Sequence, residues 1–323
     1  MDIIVLHRNE GSVLKIEERH LETMREHADN VYRFQTEEEL IASGLDAEIL
    51  FTWGGRGKPP ETWCVNSKRL KWLNTFSAGV DPLMECRIRD LDIIITNAQG
   101  IHGFTMGVTT MGYIIYHMRR FDILRKQQEQ GISKKLPYLP EDPEGQTVGI
   151  VGAGAIGSDV AKFSKALGFN VIGVKRKVIP MENYDEVYSN TDLDKALGKM
   201  DYVVILTPMT NDTKHLINAD RFKAMKKGAF VINIARGGVV DTNALTEALQ
   251  SGHLGGCALD AVEPDPLPPD SPLWKMPDVF ITPHYSATSP KYVDRAVEQF
   301  VKNVDNFKAG RPLFNVIDVA ALT

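Results

Sequence analysis

The stretch "TVGIVGAGAIGSDVAKFSKALGFNVIGVKRK", residues 147–177, opens on five residues of strand character and turns at once into Gly152, Gly154 and Gly157 in G-x-G-x-x-G spacing. Glycine triplets arise by chance, so the surroundings decide what this one means. The branched run "TVGIV" precedes it, Val160, Phe163 and Leu167 follow at helical spacing, Gly168 is placed to end that helix, and "NVIGV" is the next strand. In such a β-α-β unit Gly152 makes the tight turn, Gly154 lets a pyrophosphate approach the backbone, and Gly157 lets the helix pack on the strand. Ala155 and Ile156 complete the loop at a helix start, where free N–H groups and the positive dipole end suit phosphate oxygens. The spacing predicts dinucleotide binding at Gly152, Gly154, Ala155, Ile156 and Gly157.

The stretch ends on three cations, Lys175, Arg176 and Lys177. An Asp or Glu about 20 residues past the loop binds the ribose hydroxyls of NAD and repels the extra phosphate of NADP. Lys175 falls at that place. Lys175 and Arg176 remove the repulsion and supply donors, and Arg176 is able to grip a phosphate through two parallel bonds. NADP(H) is therefore the expected cofactor, with NAD(H) as the alternative. Lys177 reads as a solvated neighbour.

The same alternation of strand and helix runs outward in both directions. Before it come "DIIVL", "AEILFTW", "LKWLNTF" and "LDIIITN"; after it come "DYVVILT", "AFVINIA", "GCALDAV" and "DVFITPH". The pattern predicts an α/β protein of two doubly wound parallel-sheet domains, Rossmann-like or flavodoxin-like, with an interdomain cleft. A long helix is expected from about Thr105 to Gln130, and the proline-punctuated "LPYLPEDPEG" reads as a loop. Near the end, Ser289 is a cap candidate and Pro290 suits a first helical position. Val293, Val297, Phe300, Val304 and Phe307 recur at helical spacing until Gly310. Such a helix is expected to return to the first domain. The predicted division is a substrate-binding domain of residues 1–98 and 288–323 and a dinucleotide-binding domain of residues 99–287.

With 323 residues and 43% hydrophobic content the chain can bury a large core, and its net charge of −5 argues against a general nucleic-acid binder. Cys64, Cys86 and Cys257 stand far apart, suggesting neither a disulfide framework nor a zinc site. Neither a signal peptide nor a membrane span is expected, so the cytoplasm is the expected location.

Hydride transfer between a nicotinamide and a carbonyl asks the protein for a cation that holds and polarises the substrate, a proton donor, and a group that tunes the donor. Three predicted strand ends offer them. Arg236 follows "FVINIA", His284 follows "FITP", and Asp260, Glu263 and Asp265 lie in and after "GCALDAV". Imidazole is the side chain best matched to proton transfer near neutral pH.

The stretches "VGIVGAGAIG", "TPMTNDTKHLINADRFKAMKKGAFVINIARGGVVD", "ALDAVEPDPLPPDSPLW" and "ITPH", in this order and spacing, carry a resemblance to the D-isomer-specific 2-hydroxyacid dehydrogenase family that runs through nearly the whole chain. The basic strand end most resembles its NADPH-preferring glyoxylate and hydroxypyruvate reductases. The resemblance implies reduction of a small 2-ketoacid, with Arg236 anchoring the substrate and His284 acting as acid or base. The acid that partners the histidine, usually Glu, falls at Asp265, five residues after Asp260; Glu263 is read as an exposed loop acid. A carboxylate beside His284 would favour the charged imidazolium. Further implied are cofactor contacts from Thr207, Pro208, Ala235 and Asp260, the last toward the nicotinamide amide, and a substrate loop "TFSAGVD" whose Ala78 and Gly79 offer backbone N–H groups to the carboxylate. In "GFTMGVTTMGYIIYHMRR", Val108 stands where relatives commonly carry Glu; this stretch is read as a structural helix forming a homodimer, its apolar width at Met111, Ile114, Ile115 and Met118 fitting an interface or a core equally. An NAD-dependent enzyme of the family and a non-catalytic, cofactor-sensing corepressor-like protein are the alternatives.

Overall fold

Central strands of a parallel sheet are covered on both faces, so they read as largely apolar runs; five of the seven strands of the larger unit lie between two neighbours. The computed structural model describes residues 1–55 and 57–319. The chain forms two compact units, one of Met1–Ile101 with the chain from Ser289 onward, the other His102–Thr288.

The first unit runs β1 (Asp2–Leu6), α1 (Glu18–Arg25), β2 (Asn30–Phe34), α2 (Glu37–Ser43), β3 (Ile49–Thr52), α3 (Glu61–Asn66), β4 (Trp72–Thr75), α4 (Asp81–Met84) and β5 (Ile94–Thr96). Its parallel sheet has the order β2-β1-β3-β4-β5. Ile4, Leu50 and Leu73 pack with Leu40, Leu83 and Ile88 on one face. On the other, Phe51 and Trp72 meet Phe300 at ring-centre distances of 4.6 and 5.2 Å. Phe300 comes from the terminal helix, whose inward residues Val293, Val297, Phe300 and Val304 are all buried.

The second unit runs α5 (Gly103–Met118), α6 (Phe121–Glu129), β6 (Thr147–Val151), α7 (Ala155–Ala166), β7 (Asn170–Val174), β8 (Glu186–Tyr188), α8 (Leu193–Leu197), β9 (Tyr202–Ile205), α9 (Ala219–Ala224), β10 (Phe230–Asn233), α10 (Thr242–Gln250), β11 (Gly256–Leu259) and β12 (Val279–Ile281); α11 (Tyr292–Lys308) then closes the first unit. The seven-stranded parallel sheet has the order β12-β11-β10-β9-β6-β7-β8. Alternate residues enter opposite cores. Val148, Ile150, Val204 and Ile232 pack with Met111, Ile114 and Val160, whereas Val151, Val203, Ile205 and Val231 pack with Leu197, Phe222 and Leu245.

Three details differ from the sequence reading. The long helix is two, broken where Arg120 adopts a left-handed backbone (φ 54°) and its guanidinium bridges Asp122 at 3.0 Å and Asp278 at 2.6 Å. The terminal helix begins at Tyr292, later than Ser289 and Pro290 suggest, and Ser289 Oγ accepts the Lys291 N–H instead. Leu167 is 42% exposed, because the inward face of α7 is Gly157, Val160, Ala161 and Ser164. Of the two placements the sequence left open for Met111, Ile114 and Met118, the core of their own unit is the one observed.

Candidate active site

One row of paired residues organises the second unit. Ile281 pairs with Leu259, Leu259 with Asn233, Asn233 with Ile205, Ile205 with Val151, and Val151 with Val174. Six strands thus end level, and at about 4.8 Å per strand their tips span about 24 Å. The phosphate loop follows β6, Lys175 and Arg176 follow β7, Thr207 and Pro208 follow β9, Ala235 and Arg236 follow β10, Asp260 follows β11, and His284 follows β12. Ligands of open α/β sheets bind at this carboxyl edge, where the strand order reverses; here the reversal lies between β6 and β9.

The phosphate loop is built to admit a pyrophosphate. Gly152 has φ 101°, and a Cβ there would lie 2.8 Å from both Leu206 C and Thr207 N, so only glycine fits. A Cβ on Gly157 would stand 3.0 Å from Ile150 Cγ2, which places α7 flush on β6. Above Gly154 the space is open, with nothing within 4 Å of an added Cβ. Among the described residues the amides of Ala155, Ile156 and Gly157 donate to no protein group, and α7 has no acid in its first turn. These are the orphan donors of a helix start, free to hold an anion. The residues present therefore fit a dinucleotide.

Lys175 donates its backbone N–H to Tyr188 O at 3.1 Å, and its Nζ lies 3.5 Å from Met181 Sδ. Arg176 and Lys177 are exposed. Neither Lys175 nor Arg176 has an acidic partner among the described residues, so this strand end keeps its positive charge.

Arg236 is set by Asn233. The buried Asn233 amide donates 3.1 Å bonds to Arg236 O and Ala261 O and accepts the Ala235 N–H at 3.1 Å, joining the turns after β10 and β11. A polar residue in the buried run "FVIN" was the available signal for this brace. Next to it, a Cβ on Gly237 would collide with the carbonyl of Val262, so the two loops pass with no room for a side chain.

Asp260, 3% exposed, accepts Thr282 Oγ1–H at 2.7 Å, Tyr285 N–H at 2.6 Å and Ser286 N–H at 2.9 Å. Three of its acceptor positions are thereby filled by the loop that carries His284. His284 itself is exposed with φ 55°, a conformation costing a non-glycine residue about 1 kcal/mol and concentrated at functional sites. Thr282 Oγ1 lies 2.7 Å from the hydroxyl of Tyr113, which burial pushes up to about 12. Asp265 is exposed in the same proline-rich loop as Glu263. Glu263 departs from its reading as an exposed loop acid: it is half-buried, its Oε2 lies 2.8 Å from His215 Nε2, and its carbonyl accepts the Thr242 hydroxyl at 2.7 Å. Its partner lies 48 residues upstream, which no local pattern reveals.

Ala78 and Gly79 lie in the first unit, after β4. The loop's carbonyls turn inward: Ser77 Oγ–H donates to Gly79 O at 2.7 Å, Asn97 Nδ2–H to Ala78 O at 2.7 Å, and Ala98 N–H to Ser77 O at 3.0 Å. The amides of Ala78 and Gly79 donate to no group among the described residues. Such a turn presents N–H groups outward, as a carboxylate requires. Cys64 and Cys257 are buried free thiols, Cys86 is half-buried, and no helix among the described residues is long and apolar enough to cross a membrane.

The NAD-binding-domain model of the D-isomer-specific 2-hydroxyacid dehydrogenases matches residues 111–286. A glyoxylate reductase of Thermofilum pendens is 36% identical over 82% of this chain and 76% of its own. A D-isomer-specific 2-hydroxyacid dehydrogenase family protein from Aeromonas salmonicida superposes with a TM-score of 0.86 at 32% identity, covering 98% of this chain and 99% of that one. An NADPH-dependent glyoxylate/hydroxypyruvate reductase from Sinorhizobium meliloti, solved with NADP and sulfate, has a TM-score of 0.84 at 26% identity, covering all of both chains.

Proposed function

Since the chain belongs to the D-isomer-specific 2-hydroxyacid dehydrogenases, we propose that it reduces a small 2-ketoacid such as glyoxylate or hydroxypyruvate to the D-2-hydroxyacid, preferring NADPH to NADH. The observation that carries this reading is the level row of six strand ends, which puts an open phosphate loop, unneutralised cations, an arginine and a histidine along one sheet edge.

A bound nicotinamide would supply the hydride. The amides of Ala155, Ile156 and Gly157 hold its pyrophosphate, and Lys175 and Arg176 hold the 2′-phosphate that distinguishes NADPH. Arg236 pairs with the substrate carboxylate and polarises the carbonyl, its planar fork matching two oxygens at once. As the carbonyl carbon is reduced, negative charge grows on oxygen, and a ring nitrogen of His284 delivers a proton there. Asp265 orients that imidazole, one methylene shorter than the usual Glu. Ala78 and Gly79 give backbone N–H groups to the substrate carboxylate. A homodimer and a cytoplasmic location belong to the same reading.

The NADPH preference rests on the two cations without acidic partners, and the glyoxylate reductase and the NADP-bound reductase among the relatives support the substrate class. The test is a panel of glyoxylate, hydroxypyruvate, pyruvate and longer 2-ketoacids assayed with NADPH and with NADH. Turnover of a short ketoacid with higher kcat/KM for NADPH is expected. Strong NADH preference removes the reading of Lys175 and Arg176, and no turnover with any ketoacid favours a cofactor-sensing protein.

A further inference from the structure

We propose that Asp260 is a positioning residue for His284, and that Thr282 and Tyr113 form a second layer that holds Asp260 to this task; the inference rests on His284 being the proton donor. His284 holds a left-handed backbone conformation, φ 55°. That conformation turns the next two amides, of Tyr285 and Ser286, toward the same side, and both donate to one buried carboxylate. Without an anion there, two N–H groups would be left facing each other across a buried site, and the turn would lose its reason to hold a strained residue.

The directions of the bonds are fixed by chemistry. A carboxylate only accepts, so Thr282 donates its single hydroxyl proton to Asp260 Oδ1 and must accept from the phenol of Tyr113. Tyr113 is 5% exposed and packs edge-on to Phe280 with ring centres 5.8 Å apart, and its hydroxyl meets Thr282 Oγ1 at 2.7 Å. Thr109, one turn earlier on the same face of α5, takes no part in this relay; its single hydroxyl proton is shared between Thr105 O and Ser286 O, each 3.1 Å away. Both ends of residues 282–286 are therefore tied to Asp260 and to α5, Thr282 at one end and Tyr285 and Ser286 at the other, with the exposed His284 between them.

This assigns Asp260 a duty distinct from touching the nicotinamide amide, and the two separate in kinetics. Thr282→Val and Tyr113→Phe should lower the kcat of ketoacid reduction, the first by on the order of 100-fold, as expected when a reacting group is displaced by about 1 Å, and the second by about 10-fold. NADPH affinity from fluorescence titration and the KM for ketoacid should stay at wild-type values, and Thr282→Ser, which keeps the hydroxyl, should restore kcat. Asp260→Asn should show the largest loss of kcat; if it fails to fold, the two outer variants decide. A crystal structure of Thr282→Val should show residue 284 leaving the left-handed region, a readout independent of turnover. Wild-type kcat in Thr282→Val with residue 284 unmoved overturns the inference, as does an Asp260→Asn variant that loses NADPH affinity while keeping kcat. If instead the wild-type protein turns over no ketoacid, or His284→Ala retains full activity, the proton-donor reading falls, and the crystal structure alone still reports on the tether.

Discussion

The two units are built alike and end their first strands differently. In each, a parallel sheet reverses its strand order beside the first strand, between β1 and β3 in one and between β6 and β9 in the other. In the larger unit the chain turns through Gly152 and enters α7 within three residues, with no acid in the first turn. In the smaller unit the corresponding turn runs through eleven residues to α1, whose N-cap is Glu17 and whose first turn holds Glu18. His20 Nδ1 accepts the Glu17 N–H at 2.9 Å, and its Nε2 pairs with Asp294 at 2.8 Å. One helix start is open to an external anion; the other supplies its own. The architecture therefore does not decide whether a helix start is open to an anion, and the first few residues after the strand do.

This contrast can be broken most severely at Gly154. Its φ of −99° and the open space above it allow a side chain, so Gly154→Asp should fold with unchanged thermal stability yet lose NADPH binding by on the order of 100-fold or more, through repulsion and blocked approach. Gly152→Ala should behave oppositely in the fold: its Cβ meets main-chain atoms, so a stability loss of more than about 1 kcal/mol should appear in denaturant titration. Removing the guanidinium in Arg176→Ala should narrow the NADPH-over-NADH ratio of kcat/KM by about 10-fold, the loss of one charged hydrogen-bonding group to phosphate. The smallest effect belongs to the closed helix start. The His20 bond, aided by Arg19, holds the Asp294 carboxyl down to about 2. Such a depressed acid contributes stability above its unfolded value near pH 4 and loses it as pH falls toward 2. Asp294→Asn should cost about 1 kcal/mol at pH 7, discounted for solvent contact, and should flatten the melting curve between pH 4 and 2.

Legibility in the sequence followed burial and distance. The central strands of both sheets are covered on both faces and stood out as branched runs. The edge strands β2 and β8 went unseen, because "NVYRF" and "EVY" are half-exposed and carry no apolar run. The break at Arg120 has no glycine or proline to announce it, and one of the two acids that hold it lies 158 residues away. The glycine turn after β6 and the cations after β7 lie within one β-α-β unit, so local pattern alone was enough to locate them. Residues at strand ends could be named singly, but the level row that unites them is a matter of register. The brace at Asn233 and the tether from Tyr113 through Thr282 to Asp260, the first step of which spans 169 residues, exist only in three dimensions.

The central claim is that His284, on the row of strand ends, moves the proton while the phosphate loop holds the cofactor. Its most direct test is one variant read two ways: His284→Ala, assayed for steady-state ketoacid reduction and titrated with NADPH by fluorescence. The account predicts a fall in kcat of about 10²–10⁴-fold with NADPH affinity unchanged; wild-type turnover by that variant would contradict it.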